Sequence, residues 1–374
     1  MTIHICIVTS AHPRYDVRIF YKELLSLAKK YTVTLLVADG KADEMYDDIN
    51  ILSVRRPKGR IRRILFTPAD IINKIRVIAP DVVHFHDPEL LLIANAVSKL
   101  GCKVVYDAHE DLPKQILSKK WIPKILRKRC AHIAQNYEAK IVGNISGVIT
   151  ATPIIKNRML KYNLNTADIH NYPVIDLLST SYNTYEEYNS RRYDLCYVGS
   201  ISEVRGIIPL IESLSISGLT LQLAGSFSDA RIAKKVKKMS NFKHLVHYHG
   251  VLPHAQAQQL VSQSKVGVLT LLPTVSYKES LPIKLFEYML YNLPCIASEF
   301  PLWRDIIDKH DCGIMINPKS PQEIAAASIR LINNSQMAYQ MGYNGYNAVI
   351  SEYNWSVQEL KLFGFYEQLL SCNS

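Results

Sequence analysis

Glu279 and Glu287 are separated by seven residues in SYKESLPIKLFEYMLYNLPCIAS, Ser276 to Ser298, and Lys284 lies between them. Eight positions along a continuous helix rotate a side chain by about 80°, so two helical carboxylates at this spacing would not share a face. Pro282 belongs in the first turn of a helix, which leaves Glu279 in the preceding loop and Glu287 on the helix. The backbone N–H groups of Ser280 and Leu281 then open that helix, and a helix start favours an anion. Ionised carboxylates accept hydrogen bonds from paired hydroxyls. The pattern suits a long ligand: a polyhydroxyl group at Glu279, a diphosphate at the helix start beside Lys284, and a second hydroxylated ring at Glu287. The plain alternative is a surface helix whose acids are solvated or paired with Lys284.

The elements that must position these groups alternate along the whole chain. Short β-branched apolar runs are expected as strands at Ile3–Thr9, Thr32–Val37, Ile51–Val54, Val82–His86, Lys103–Asp107 and Gly147–Ala151. A second set follows at Asp194–Val198, Leu219–Ala224, Leu245–His249, Val266–Leu271, Cys295–Ser298 and Gly313–Ile316, with helical periodicity between, for example Arg18–Lys29, Glu89–Leu100 and Asn136–Ile145. The fold class is α/β, in two doubly wound parallel sheets. The polar stretch Ser179–Tyr193 marks the junction, which gives domains 1–172 and 173–352 and a final helix, 353–374, packing back toward the first domain. In open α/β sheets a ligand sits beyond the carboxyl ends of the strands. His86 and Asp87 follow one such strand, His109 and Glu110 the next, and Arg14, Asp16 and Arg18 the first.

A chain of 374 residues that is 48% apolar can fill two cores, and its composition excludes a disordered or low-complexity protein. No apolar run is long enough to span a membrane, and neither an export signal nor an anchor is found. The seven cysteines are scattered singly, without metal-ligand spacing, and imply a reducing compartment. The net charge of +11 is lopsided: residues 1–172 hold 27 Lys and Arg against 16 Asp and Glu, whereas residues 173–374 hold 17 of each. Two basic blocks stand out, RRPKGRIRR at Arg55–Arg63 and KQILSKKWIPKILRKR at Lys114–Arg129. The second interleaves Lys119, Lys120, Lys124, Arg127 and Lys128 with Trp121 and aliphatic residues, as an anionic membrane surface requires. No nucleic-acid-binding signature accompanies the charge.

The Ser276–Ser298 segment resembles the E-x(7)-E motif of retaining glycosyltransferases of family 4, which have the GT-B fold of two facing Rossmann-like domains with an interdomain cleft. YVGSISEVRGIIPLIESL (Tyr197–Leu214), LQLAG (Leu221–Gly225), HLVHYHGVL (His244–Leu252) and DCGIMINPKSPQEIA (Asp311–Ala325) resemble further family segments in family order, as do DVVHFHDPELL (Asp81–Leu91) and VVYDAHED (Val104–Asp111) in the first half.

The resemblance implies a nucleotide-sugar site in the second domain. There Glu279 holds the transferred sugar, Glu287 the ribose, Arg205 and Lys284 clamp the diphosphate with Gly199, Ser200, Ser280 and Leu281, and His249, Gly250 and Leu252 frame the base. Fixed cations stabilise the charge that develops on the departing phosphate. The family pattern often has Arg where this chain has Ser200. In the first domain the resemblance makes His86 and Asp87 groups of the catalytic centre. Arg14, Asp16, Arg18, His109 and Glu110 are the acceptor-side candidates; the loop at Ala11–Glu23 lacks the family's glycine pair, and its charges suit a lipid pyrophosphate. No D-x-D adjoins a nucleotide-site strand, so no metal or other cofactor is expected. The expectation is a cytoplasmic enzyme peripheral to the inner face of the membrane. It would move a sugar, with retention, from a UDP-sugar (GDP-sugar as the rival) to a polyprenyl-pyrophosphate-linked glycan in surface polysaccharide (lipopolysaccharide or capsule) assembly. An inactive glycan-binding partner, and a nucleotide-sugar hydrolase or epimerase, are the other readings.

Overall fold

The computed structural model describes residues 2–119, 122–175 and 184–371. They fall into two compact units, Met1–Asn171 with Trp355–Ser374, and Tyr172–Asn354. Each is built on its own Rossmann-like α/β sheet, as the GT-B fold requires.

The first unit contains β1 (His4–Thr9), β2 (Thr32–Val37), β3 (Glu44–Tyr46), β4 (Ile49–Ser53), β5 (Val82–Phe85), β6 (Lys103–Ala108), β7 (Gly147–Thr150) and β8 (Thr166–Asp168), in the order β3-β4-β2-β1-β5-β6-β7-β8. Side chains alternate across the sheet, so Cys6 and Val8 join one apolar layer with Val83, Phe85 and Val104, while Ile5 and Ile7 join the other with Val82 and Val105. Both faces being covered explains why β1 reads as an unbroken apolar run. The helix Trp355–Ser371 covers part of the second layer through Leu362, Phe365, Tyr366 and Leu369. It is pinned where Trp355 Nε1 donates to Ser26 Oγ at 2.9 Å.

The sheet departs from the expected parallel set at its edge, where β3 pairs antiparallel with β4. Neither β3 nor β8 was legible, because three-residue edge strands carry too little apolar pattern. The expected helix at Asn136–Ile145 is the end of a longer one, Lys124–Val142, whose first turns hold the last part of the second basic block.

The second unit contains β9 (Tyr193–Val198), β10 (Leu221–Ala224), β11 (Val246–Gly250), β12 (Ser264–Leu269), β13 (Cys295–Ser298) and β14 (Gly313–Ile316), in the order β11-β10-β9-β12-β13-β14 with every pairing parallel. The order reverses between β9 and β12, and between β1 and β5 in the first unit. Those switch points are where open α/β sheets leave a crevice at their carboxyl ends.

Candidate functional site

In the second unit, two cations approach the loop after β9. A Cβ placed on Gly199 would lie 3.8 Å from Lys284 Cε and 3.9 Å from Arg205 Nη1, so both border the open space beside the strand end. Arg205 is held half-buried one residue before Gly206, where the backbone turns left-handed (φ 71°) into the helix Ile207–Ser217. A Cβ at Gly206 would stand 1.7 Å from the carbonyl oxygen of Thr270, so only glycine lets this turn approach the end of β12. Lys284 comes from the first turn of the helix Ile283–Leu290, and its Nζ pairs with Glu287 Oε2 at 2.5 Å. Beside them a hollow of about 230 Å³ is lined by Val198, Gly199, Ser200, Gly225, Val251 and Leu252, among others. Ligand pockets usually measure about 300–1,000 Å³, so this one suits a single ring of a ligand.

The helix start differs from expectation. Pro282 has an extended backbone (φ −79°, ψ 122°) and precedes the helix, so Ser280 and Leu281 lie outside it. The Ser280 N–H is 3.4 Å from Tyr277 O, its carbonyl accepts from Trp303 Nε1 at 2.8 Å, and Leu281 packs on the apolar core. The anion-favouring end is at Ile283 and Lys284. Glu279 occupies the turn between the helices Val275–Lys278 and Ile283–Leu290, half-buried, and Glu287 lies on the second helix. His249 is not among the residues that line this hollow; its Nε2 lies 2.8 Å from Gln222 Oε1. The Gly250 carbonyl accepts from the Gly225 N–H.

In the first unit, the ends of β1, β5 and β6 surround a cavity of about 670 Å³. His86, Asp87, His109 and Glu110 all line it, together with His12, Arg63 and Lys119, and its walls are largely apolar: Ile64, Leu92, Leu112, Ile116, Ile122 and Tyr137. Burial, with the Arg18 charge nearby, pulls His109 down to about 4 against the opposing pull of Asp107, so its imidazole is neutral at pH 7. Sequence reasoning missed His12 and treated Arg63 only as part of a basic block; only the folded chain brings them to the strand ends.

Several expected site residues are committed to the scaffold instead. Asp87 is 3% exposed, and its Oδ2 accepts from Thr9 Oγ1, Ser10 N and Ala11 N at 2.7–3.1 Å while His12 Nδ1 lies 3.1 Å from Oδ1. Burial opposes its ionisation, yet the bonds from His12, Thr9 and Ser10 hold it well below the ordinary carboxylate range. It fixes the loop after β1. Arg14 forms a two-pronged pair with Asp39 at 2.9 and 3.0 Å and a second pair with Glu44. Arg18 is buried against Asp107, Glu23 and the Ile169 carbonyl. Asp16 accepts from the N–H groups of Arg18 and Ile19 and so caps the following helical turn. None of these three lines the cavity. Of the basic block, Lys124 and Lys128 are exposed, Arg127 Nε donates to Ile122 O, and Lys119 lines the cavity. Lys120 and Trp121 lie outside the described residues.

Two family models match the chain one after the other: the one described as Glycosyltransferase Family 4 over residues 18–173, and the one described as Glycosyl transferases group 1 over residues 185–348. The chain is a GT-B glycosyltransferase related to both families. No curated protein matches the sequence of this glycosyltransferase. Among solved structures it is similar to sucrose-phosphate synthase from Thermosynechococcus elongatus (TM-score 0.76, 15% identity, 99% of this chain and 100% of that one). It is also similar to HepE from Anabaena in complex with UDP-glucose (0.71, 14%, 98% and 100%). A third is WaaG, a glycosyltransferase involved in lipopolysaccharide biosynthesis (0.67, 14%, 96% and 98%). At these identities the likeness is one of fold.

Proposed function

We propose that this glycosyltransferase moves a sugar from a UDP-sugar, with retention of anomeric configuration, to a lipid-pyrophosphate-linked glycan during surface-polysaccharide assembly at the inner face of the membrane. The observation that carries the donor half is the approach of both Arg205 and Lys284 to the space beside Gly199 at the β9 strand end. Two fixed cations and a helix start meet where a diphosphate would lie, and they stabilise the charge that accumulates on the leaving phosphate as the glycosidic bond breaks. In this reading they take the place of a divalent ion at the diphosphate. Glu279 receives the sugar hydroxyls and Glu287 the ribose. The UDP preference is supported by HepE, whose structures hold UDP and UDP-glucose.

The acceptor half rests on the first-unit cavity. Its apolar walls suit a lipid-borne acceptor, Arg63 and Lys119 its phosphate groups, and His109 and Glu110 its hydroxyls. Near the cavity residues Ile64 and Pro123, apolar side chains are left in solvent: Leu65 is 64% exposed, Phe66 51% and Ile125 89%. Leu65 and Phe66 follow the first basic block closely and Ile125 lies within the second, a combination that favours an anionic lipid surface. Among the described residues no helix is long and apolar enough to cross a membrane, so contact in this reading is peripheral. WaaG, which acts in lipopolysaccharide biosynthesis, supports the pathway class.

The test is turnover of a panel of UDP- and GDP-sugars by the purified protein, with and without polyprenyl-pyrophosphate glycans. Acceptor-dependent UDP release and a product whose new linkage keeps the donor's anomeric configuration are expected. Acceptor-independent release of free sugar would replace this reading with a hydrolase, and no turnover of any donor with an intact fold would leave a binding partner.

A further inference from the structure

Three ligand-type atoms in the core of the first unit face one another without hydrogen-bond partners. Glu23, from the helical turn Ile19–Leu24, His84, in β5, and His86, just after it, are all 0% exposed. Together with the buried Asp107 they place one ligand atom each within 4.8 Å of the others. Glu23 Oε2, His84 Nε2 and His86 Nε2 are unbonded in the structure. Polar atoms buried in that way are costly to leave unpaired, so a native site of this kind calls for an explanation.

The remaining atoms of the same side chains are already directed. His84 Nδ1 meets Tyr366 Oη at 3.0 Å, and His86 Nδ1 lies 3.3 Å from Asp107 Oδ2. Arg18 Nε is 2.9 Å from Glu23 Oε1 and 2.8 Å from Asp107 Oδ2. What is left is one atom per residue, with Glu23 Oε2 3.9 Å from His84 Nε2 and 3.6 Å from His86 Nε2. Ligand bonds of about 2.0–2.1 Å at tetrahedral angles put neighbouring donors about 3.3–3.4 Å apart, a few tenths of an ångström inside these distances.

We propose that Glu23, His84 and His86 bind a divalent transition-metal ion, zinc being the ion their two imidazoles and one carboxylate suit best. Tyr366, Asp107 and Arg18 then act on the ligands as outer partners, the first two fixing which imidazole nitrogen faces the ion. Arg18 balances one of the two carboxylates, so the ion meets a single net negative charge. The site joins the segment after β1, the end of β5 and the C-terminal helix, and its role is to fix the floor of the first-unit cavity. It lies in a different unit from the diphosphate residues and is independent of how the donor is bound.

The test uses the full chain freed of any polyhistidine tag, stripped with a chelator and titrated with Zn²⁺ or Co²⁺ alone. One equivalent per chain, intense tetrahedral-type Co²⁺ absorption and a raised Tm are expected. Glu23→Gln and His84→Asn are expected to lower affinity at least 100-fold, Tyr366→Phe about tenfold, and His249→Asn, in the other unit, not at all. Circular dichroism verifies that the variants are folded, and should one ligand variant unfold, the other decides. Absence of stoichiometric uptake, or uptake equal in wild type, Glu23→Gln and His84→Asn, would overturn the proposal.

Discussion

Lys284 Nζ stands 2.5 Å from Glu287 Oε2, one helical turn apart, while the Cε of the same lysine borders the space above Gly199. In the proposed reading, the cation for the diphosphate and the carboxylate for the ribose are thus paired at the start of one helix, and a bound nucleotide would draw on both. Lys284→Ala is expected to lower kcat about 100-fold or more, the range seen when one group that stabilises developing charge is removed. Glu287→Gln is expected chiefly to raise the KM for donor. Steady-state UDP release measures both, and a Lys284→Ala enzyme within tenfold of wild type would remove the lysine from the diphosphate.

Gly206→Ala is expected to cost at least about 2 kcal/mol, since the left-handed backbone is strained for alanine and the new methyl would overlap the Thr270 carbonyl. Gly218 has nearly the same φ, 69°, but nothing within 4 Å, so Gly218→Ala is expected to cost about 1 kcal/mol. Denaturant midpoints of the two variants separate the backbone contribution from the steric one. Equal losses would mean that the approach of the Gly206 turn to β12 carries no stability.

Burial alone would raise the Asp39 carboxyl, but the hydrogen bonds from Arg14, Lys41 and Ser53 outweigh it and hold the group below its ordinary value near 3.8. A depressed folded-state pKa gives stability that is present above the unfolded value and lost as pH falls through the folded one. The Asp39→Asn variant is therefore expected to melt below wild type at pH 7, with the gap narrowing as pH falls below about 4. Thermal melts from pH 7 to pH 3 follow it; a gap that widens toward acid would contradict the sign.

Charge reversal at Lys124 and Lys128, both exposed in the first turns of their helix, removes two attractions of about 1 kcal/mol each and so is expected to weaken binding to anionic vesicles about 30-fold or more. Ile125→Ser is expected to weaken binding further by removing an apolar contact, and raised salt to mimic the charge reversal alone. Vesicle co-sedimentation reads all three, and unchanged binding would detach this surface from the membrane.

Much of this molecule is written locally. Strands such as β2 and β13 occupy the residues expected of them, because β-branched runs covered on both faces leave an unbroken apolar signal. The Glu279 loop and the Glu287 helix also follow from Pro282, although the helix begins at Ile283 and not at Ser280. The roles of the charged groups beyond the first-unit strands are not local. Arg14 is taken up by Asp39, 25 positions on, Arg18 by Asp107, 89 positions on, and Asp87 by Thr9, 78 positions back. Sequence spacing holds no record of such partners, whereas the order of strands decides them: placing β2 and β5 beside β1, and β6 beside β5, ties these side chains to distant counter-charges and brings Arg63 and His12 to the cavity. The chain's pattern determined two Rossmann-like sheets and pointed to the ends of their strands; only the packed sheet decided which polar side chains are left open there, because a buried charge goes to its nearest counter-charge in space.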